Sequence, residues 1–226
     1  GFKAWCSGAA TASHGLLTAW YPDGSGPQLV QVEMRQPGVF VFDQHWCAVG
    51  MHASASLDIS FRRARGSLIG CVGDYLARPG FWQGGAGIAA CWFGGSLAIA
   101  SALRESVCQS GSSAAHPFRL AALGKVDLAL QSTAALLRQA AQFIDEEPLR
   151  DASLVALRVR QSAEQTARYV LDQVLQALGA TPLCKDRYFA RMAADLPVFI
   201  RQSHAERDFA AMGERLCKQQ GDPWML

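Results

Sequence analysis

Ser203-His204-Ala205-Glu206-Arg207-Asp208 is the densest polar run in an otherwise apolar C-terminal stretch. It offers an imidazole, a hydroxyl and two carboxylates within six positions. A neutral imidazole with a pKa near about 6.5 accepts a proton at physiological pH, so His204 is the first candidate base and Glu206 the second. Ser203 cannot serve as a base, but its hydroxyl can hydrogen-bond an oxygen of a ligand. On a continuous helix Glu206 points away from His204 and is expected to pair with an arginine at helical spacing, while Arg207 and Asp208 are expected on the surface. The His-x-Glu pair lacks the cysteine partners of a zinc site, and no G-x-S-x-G elbow accompanies Ser203. No metal is expected. At the other end of the chain, Trp5-Cys6-Ser7 sets an aromatic ring and a hydroxyl two positions apart. On a strand both face one side, which suits a flat, polar ligand. Gly84-Gly85-Ala86-Gly87 and Gly94-Gly95 lie inside a helical run and fit close helix packing better than a phosphate cradle. His14, His45 and His52 share no ligand spacing.

The elements that must hold these residues fall into two textures. Asp23-Gly24-Ser25-Gly26-Pro27 separates two branched or aromatic runs, Leu16–Tyr21 and Gln28–Met34, as a loop between strands. Val39–Phe42 reads as a further strand. Ser54–Phe61 alternates, with Ala55, Leu57, Ile59 and Phe61 on one face. From about residue 70 the period becomes helical. Phe81–Leu103 is free of proline and rich in small residues. Ala114-Ala115-His116-Pro117 breaks the chain, and Leu120, Leu123, Val126, Leu130, Ala134 and Leu137 then follow at spacings of three and four as far as Asp145–Pro148. A third helix spans about Asp151–Leu178, with Leu157, Gln161, Ala167, Val170 and Val174 inward and Gly179 as its stop. A short piece follows Pro182, and a last helix is expected from about Pro197 to Cys217. The fold class is therefore α+β, with an antiparallel β-domain over residues 1–68 and a four-helix bundle over 69–226.

Composition narrows the field. With 21 basic and 19 acidic side chains the net charge is +2, so nucleic acid is not the expected partner. Seven cysteines without a C-x-x-C pair read as buried thiols of a cytoplasmic protein. The most apolar stretch, Gly84–Ala102, ends against Arg104 and Glu105, so no membrane span is expected. Gly1-Phe2-Lys3-Ala4-Trp5 reads as the inside of a strand, which suggests an excised piece of a longer protein.

Taken in order, these pieces resemble the C-terminal two-thirds of the acyl-CoA dehydrogenase-like flavoproteins. Gly1-x-Lys3-x-Trp5-Cys6-Ser7-Gly8 is similar to the family's G-x-K-x-W-I-T/S-N/G strand, whose Trp and hydroxyl lie against the flavin. Trp46–Phe61 is similar to the segment closing the middle β-domain. Arg78-Pro79 resembles the start of the helical domain, and Gln176-Ala177-Leu178-Gly179-Ala180 its Q-x-x-G-G turn, which touches the adenosine side of a neighbouring subunit's flavin. The resemblance implies FAD, held by Trp5, Ser7, Gln176 and Gly179, a homodimer or homotetramer, and oxidation of an acyl-CoA or acyl-carrier-like thioester at CH–CH. The family's usual catalytic Glu, in a Y-E-G-T-like turn, is replaced near Ser203-His204-Ala205, and its alternative position is Ala77. Two other readings therefore stand beside the first. One is a flavin-dependent monooxygenase on the same scaffold, whose relatives resemble desulfurisation-type enzymes with a His in that turn. The other is a non-catalytic bundle subunit kept for assembly.

Overall fold

A computed structural model describes residues 1–109, 116–219, 221, 222 and 224, and divides the chain into two compact units, Gly1–Phe81 and Trp82–Leu226. The expected division after residue 68 falls within a short strand, Ser67–Ile69.

The first unit holds six strands in two antiparallel sheets. In one, β1 (Phe2–Ser7), β5 (Ser56–Phe61) and β4 (Val39–Phe42) lie in the order β1-β5-β4. In the other, β2 (His14–Ala19), β3 (Gln28–Glu33) and β6 (Ser67–Ile69) lie in the order β2-β3-β6. Alternation in β5 works as expected: Leu57 and Ile59 are buried, with Ala55 and Phe61 packed against them. The loop between β2 and β3 is held by Asp23 Oδ1, which accepts Ser25 N at 2.8 Å and Ser25 Oγ at 2.6 Å. The buried Gln28 amide ties β3 to β6 by donating to the Ile69 and Gly70 carbonyls at 2.9 and 3.2 Å. A four-residue helix, α1 (Asp74–Ala77), follows.

The second unit is helical. Its long members are α2 (Pro79–Gln109, whose first turn belongs to the β unit), α3 (His116–Glu146) and α4 (Ser153–Leu178). Residues 114 and 115 of the expected break before α3 lie outside the described residues. The shorter members are α5 (Thr181–Lys185), α6 (Arg187–Phe199) and α7 (Glu206–Lys218). Helix α4 runs through the core: Ala156, Ala163, Ala167, Val170 and Val174 are fully buried against Trp92, Ile99 and Leu103 of α2 and Val126 of α3. Leu120, expected on the inner face of α3, is exposed; burial begins at Ala122. Of the glycines expected to admit close packing, Gly95 does so, since a Cβ there would come within 3.0 Å of Leu196 in α6, whereas Gly84, Gly87 and Gly94 face open space.

The expected single last helix is broken in two. Asp186 caps α6 by accepting the Tyr188 and Phe189 amides at 2.9 and 3.0 Å, so the helix starts ten residues before Pro197. Pro197 lies inside α6, where its missing N–H weakens the final turn. The chain tightens through a 3₁₀ turn at Ile200–Gln202 and leaves helical geometry at Ser203–Ala205. Six of the seven cysteines are exposed and Cys6 is half-buried, contrary to expectation. Among the described residues two helices, α2 and α3, are long and apolar enough to cross a membrane by length and composition, although α2 gives Ala89, Trp92, Ile99 and Leu103 to the bundle core.

Candidate functional site

The break between α6 and α7 is built from the interior outward. Gln161 and Glu164 sit on the inner stripe of α4, one turn apart, among mostly apolar residues. The Gln161 amide donates to Ser203 Oγ at 3.1 Å and to Asp208 Oδ2 at 3.2 Å. Ser203 Oγ donates to Glu164 Oε2 at 3.4 Å and accepts the Ala205 amide at 3.3 Å. Asp208, at the third position of α7, reaches back to accept the His204 amide at 3.1 Å. These side chains capture backbone donors that a continuous helix would need, and this is why the helix stops here. Ala205 sits at φ 45°, ψ −115°, a conformation costly for a residue with a Cβ and stable only because the network imposes it.

The result is one projecting imidazole. The His204 side chain is 55% exposed, with Nδ1 3.5 Å from Asp208 Oδ1. That carboxylate favours the tautomer with a proton on Nδ1 and leaves Nε2 as the acceptor. Ser203 is buried, its hydroxyl engaged on both donor and acceptor sides, so it fixes the turn and does not project toward a ligand. Asp208 is buried, not at the surface as its place in a polar run suggested. Glu206 is exposed and forms no ion pair among the described residues, so its expected arginine partner is absent there. The expectation failed because both rested on unbroken helical spacing through residue 205.

Charge beneath the turn is compensated. The Glu164 carboxylate is almost wholly enclosed and pairs with Arg201, with Arg168 at 3.8 Å beside it. Arg160 crosses from α4 to the start of α2: its guanidinium lies 4.9 Å over the Trp92 ring and donates to the Gly85 carbonyl at 3.3 Å and the Gln202 carbonyl at 3.0 Å. Burial lowers its pKa, and the Asp208 charge opposes that fall. Three buried polar atoms, Trp92 Nε1, His116 Nδ1 and Gln161 Oε1, have no hydrogen-bond partner among the described residues. Glu164, Arg160 and Arg201 were not singled out in the sequence. The available signal was a carboxylate three residues after Gln161 on the same inward stripe.

Gln176 and Gly179 belong to the far end of α4. Fifteen residues of helix, about 22 Å, separate Gln176 from Gln161. Gln176 is exposed and donates to Asp172 at 2.8 Å, and Gly179 ends the helix at φ 67° with its amide on the Leu175 carbonyl. Within one chain these two residues are not brought to the His204 turn.

In the β unit, Trp5 occupies a bulge: Lys3 pairs with Ile59 and Cys6 with Leu57, so Ala4 and Trp5 together oppose Asp58. Its φ is 61° and 75% of its surface is exposed, a strained backbone that buries almost nothing in return. The ring meets Trp46 edge-on at 6.4 Å, and the two border a cleft of about 140 Å³ with Phe42, His45 and Ser56. Ser7, Ser56 and Ser54 form a hydroxyl chain beside it, at 2.6 and 3.0 Å. Burial raises the Cys6 thiol pKa, so a thiolate nucleophile is not favoured there. No group of three or more metal-ligating side chains occurs among the described residues.

No family model and no curated protein sequence matches the chain. Solved structures do. Butyryl-CoA dehydrogenase from Megasphaera elsdenii superposes with TM-score 0.80 at 18% identity, covering 96% of this chain and 59% of that one. Dibenzothiophene monooxygenase from Paenibacillus sp. A11-2 gives 0.76 at 19%, covering 98% and 65%. XiaF from Streptomyces sp., in complex with FADH2 and glycerol, gives 0.74 at 19%, covering 100% and 65%. The chain thus spans about three fifths of the length of these structures. At such identities the likeness speaks for architecture, and by architecture the chain is acyl-CoA dehydrogenase-like, corresponding to the C-terminal region of that fold with its β strands and helical bundle.

Proposed function

We propose that this chain is part of a flavin-dependent oxidoreductase whose acid–base group is the His204 imidazole, and that its chemistry is that of a monooxygenase. The observation that carries this reading is the His204 turn, where an exposed imidazole stands on a strained backbone with a buried carboxylate behind it. Abstraction of an α-proton from an acyl thioester calls for a carboxylate base at this place. Asp208 is committed to the His204 amide and to Gln161, and Glu206 projects into solvent without a fixed position. An imidazole with a free Nε2 is suited instead to pass a proton to or from a substrate oxygen. The dehydrogenase reading, with an acyl-CoA substrate and Glu206 as base, is the alternative.

The β unit suits a flavin. Trp5 offers an exposed indole face and Ser7 and Ser56 offer hydroxyls, the combination a flat heteroaromatic ring with polar edges needs. A flavin bound there would supply two-electron redox chemistry, and FAD is the form we assign. Within the β unit Trp5 would orient it; within the helical unit Ser203 and Asp208 would hold the turn, and His204 would accept a proton at Nε2. Gln176 and Gly179, remote from that turn, fit a contact to the flavin of a second copy, which agrees with a homo-oligomer. The exposed Gly84, Gly87 and Gly94 on α2 leave a face that another helix could approach.

The test uses the intact protein. Purification should yield a yellow protein with bound flavin and, by light scattering, at least two copies. Oxygen uptake with reduced flavin and no acyl-CoA supports the proposal, whereas anaerobic bleaching by an acyl-CoA restores the dehydrogenase reading, and absence of flavin leaves an assembly subunit. His204→Ala should lower kcat by about 10²-fold with flavin content unchanged; unchanged turnover would remove His204 from the chemistry.

A further inference from the structure

Lined by none of the residues of the Ser203–Asp208 turn, a cavity of about 500 Å³ lies in the helical unit between the C-terminal half of α3, the first turns of α4 and the end of α7. That volume is in the range that holds a small organic ligand. One wall is apolar, formed by Leu136, Ala140, Phe143, Leu154 and Val155. Its charged lining is mostly cationic: Arg150, Arg158, Arg215 and Lys218 stand against one carboxylate, Asp151, with Gln139, Ser153 and Gln219 among them. The charges are not used alike. Arg150 pairs with Glu147 at 3.1 Å and lies over the Phe143 ring. Both Asp151 oxygens are taken by Ser153, through its amide at 2.9 Å and its hydroxyl at 2.7 Å. Arg215 is held in place by Ser153 Oγ at 2.8 Å and the Ala211 carbonyl at 3.1 Å, with its ring-facing side 5.5 Å over Trp82. Arg158 and Lys218 have no hydrogen bond or ion pair among the described residues, and Arg158 is half-buried.

A half-buried arginine without an anion is unfavourable to the extent that its guanidinium gives up water and gains no partner. Arg158, Lys218 and the remaining donors of Arg215 converge on one apolar-walled cavity, and the first turn of α4 adds positive potential at its edge. We propose that this cavity is a binding site for an amphipathic organic anion, a carboxylate or sulfonate carrying an alkyl or aromatic body, separate from the redox site. The anionic head would lie between Arg158 and Lys218 and the body along Phe143 and Leu154. This site does not depend on the proposed redox activity, because none of its residues belongs to the His204 turn.

Calorimetric titration of the intact protein with decanoate tests it, with decanol standing in for its apolar half and inorganic phosphate for its anionic half. Saturable decanoate binding, at least about tenfold tighter than either half, is expected. Arg158→Gln should weaken it by about tenfold with thermal midpoint and flavin content unchanged, while His204→Ala should leave it unaltered. Lys218→Gln, on the exposed end of α7, serves where Arg158→Gln lowers the midpoint. Absent decanoate binding, equal binding of decanol or of phosphate, or decanoate affinity untouched by both substitutions would each overturn the proposal.

Discussion

Among the described residues, the buried apolar side chains of the β unit are Ala9, Val32, Met34, Leu57 and Ile59, whereas the bundle buries twenty-two between Ala86 and Ile200. The β unit leaves Phe2, Trp5, Leu16, Trp20 and Phe40 largely exposed. Small sheets with so little burial have limited stability of their own. Strained or solvent-facing aromatics there are consequently poor candidates for a packing role, and Trp5 is better understood as a surface for something to lie against. In the bundle the relation is reversed. The groups that shape its turn, Gln161, Glu164, Ser203 and Asp208, are buried and act through the backbone that carries the exposed His204.

The sharpest test of this contrast is side-chain truncation. Phe189→Ala and Trp92→Ala remove fully buried rings from the bundle and should each destabilise the protein by about 3–5 kcal/mol in denaturant titrations. Trp5→Gly removes an equally large ring from the β unit and should cost nothing, or add up to about 1 kcal/mol by relieving the positive φ. Its loss should appear instead in flavin content. Comparable destabilisation by both kinds of substitution would mean that the two units bury their aromatics alike.

A smaller effect probes the interior network. Arg201→Ala leaves the enclosed Glu164 carboxylate with Arg168 at 3.8 Å and the Ser203 hydroxyl as its remaining partners. The cost should be about 2 kcal/mol, below the value for a fully buried pair because the Arg201 side chain is half exposed. Replacing both partners, Glu164→Leu with Arg201→Leu, should recover most of it. Failure of the double variant to recover would show that the carboxylate is needed for Ser203 and not for Arg201.

The two units also differed in how far the sequence could be read. Alternation in Ala55–Phe61 and the inward spacing of Leu157–Val174 follow directly from the geometry of a strand and a helix, so β5 and α4 were legible. So was the turn at Asp23–Pro27. The break at Ser203–Ala205 was not, because it depends on Gln161 and Glu164, some forty residues away in sequence and adjacent only after α4 has packed. Helical spacing drawn through that break sent Asp208 to the surface and gave Glu206 an arginine. The bulge at Trp5 was likewise invisible, since register depends on the partner strand. Strand periodicity put Trp5 and Ser7 on one face, but nothing local indicated the left-handed backbone at Trp5.

The smallest expected effect lies in the β2–β3 loop and is one of ionisation. Hydrogen bonds from the Ser25 hydroxyl and then the Ser25 amide hold the Asp23 carboxyl below its ordinary pKa of 3.8. A carboxylate whose pKa is lower folded than unfolded contributes stability that is fully present above the unfolded value and is lost as pH falls through the folded one. Asp23→Asn keeps an oxygen to accept the Ser25 amide but cannot ionise. The difference in urea midpoint between parent and variant should therefore be constant from pH 7 to about 5 and shrink steadily below about 4. Because Asp23 is fully exposed, water competes for the same hydrogen bonds, and the difference should be smaller than either bundle effect. A difference that stayed constant down to pH 3 would mean that the turn is held by its geometry alone. The loop would then join β5 among the parts that owe nothing to charge, leaving ionisation as a feature of the bundle interior, where α4 carries Glu164.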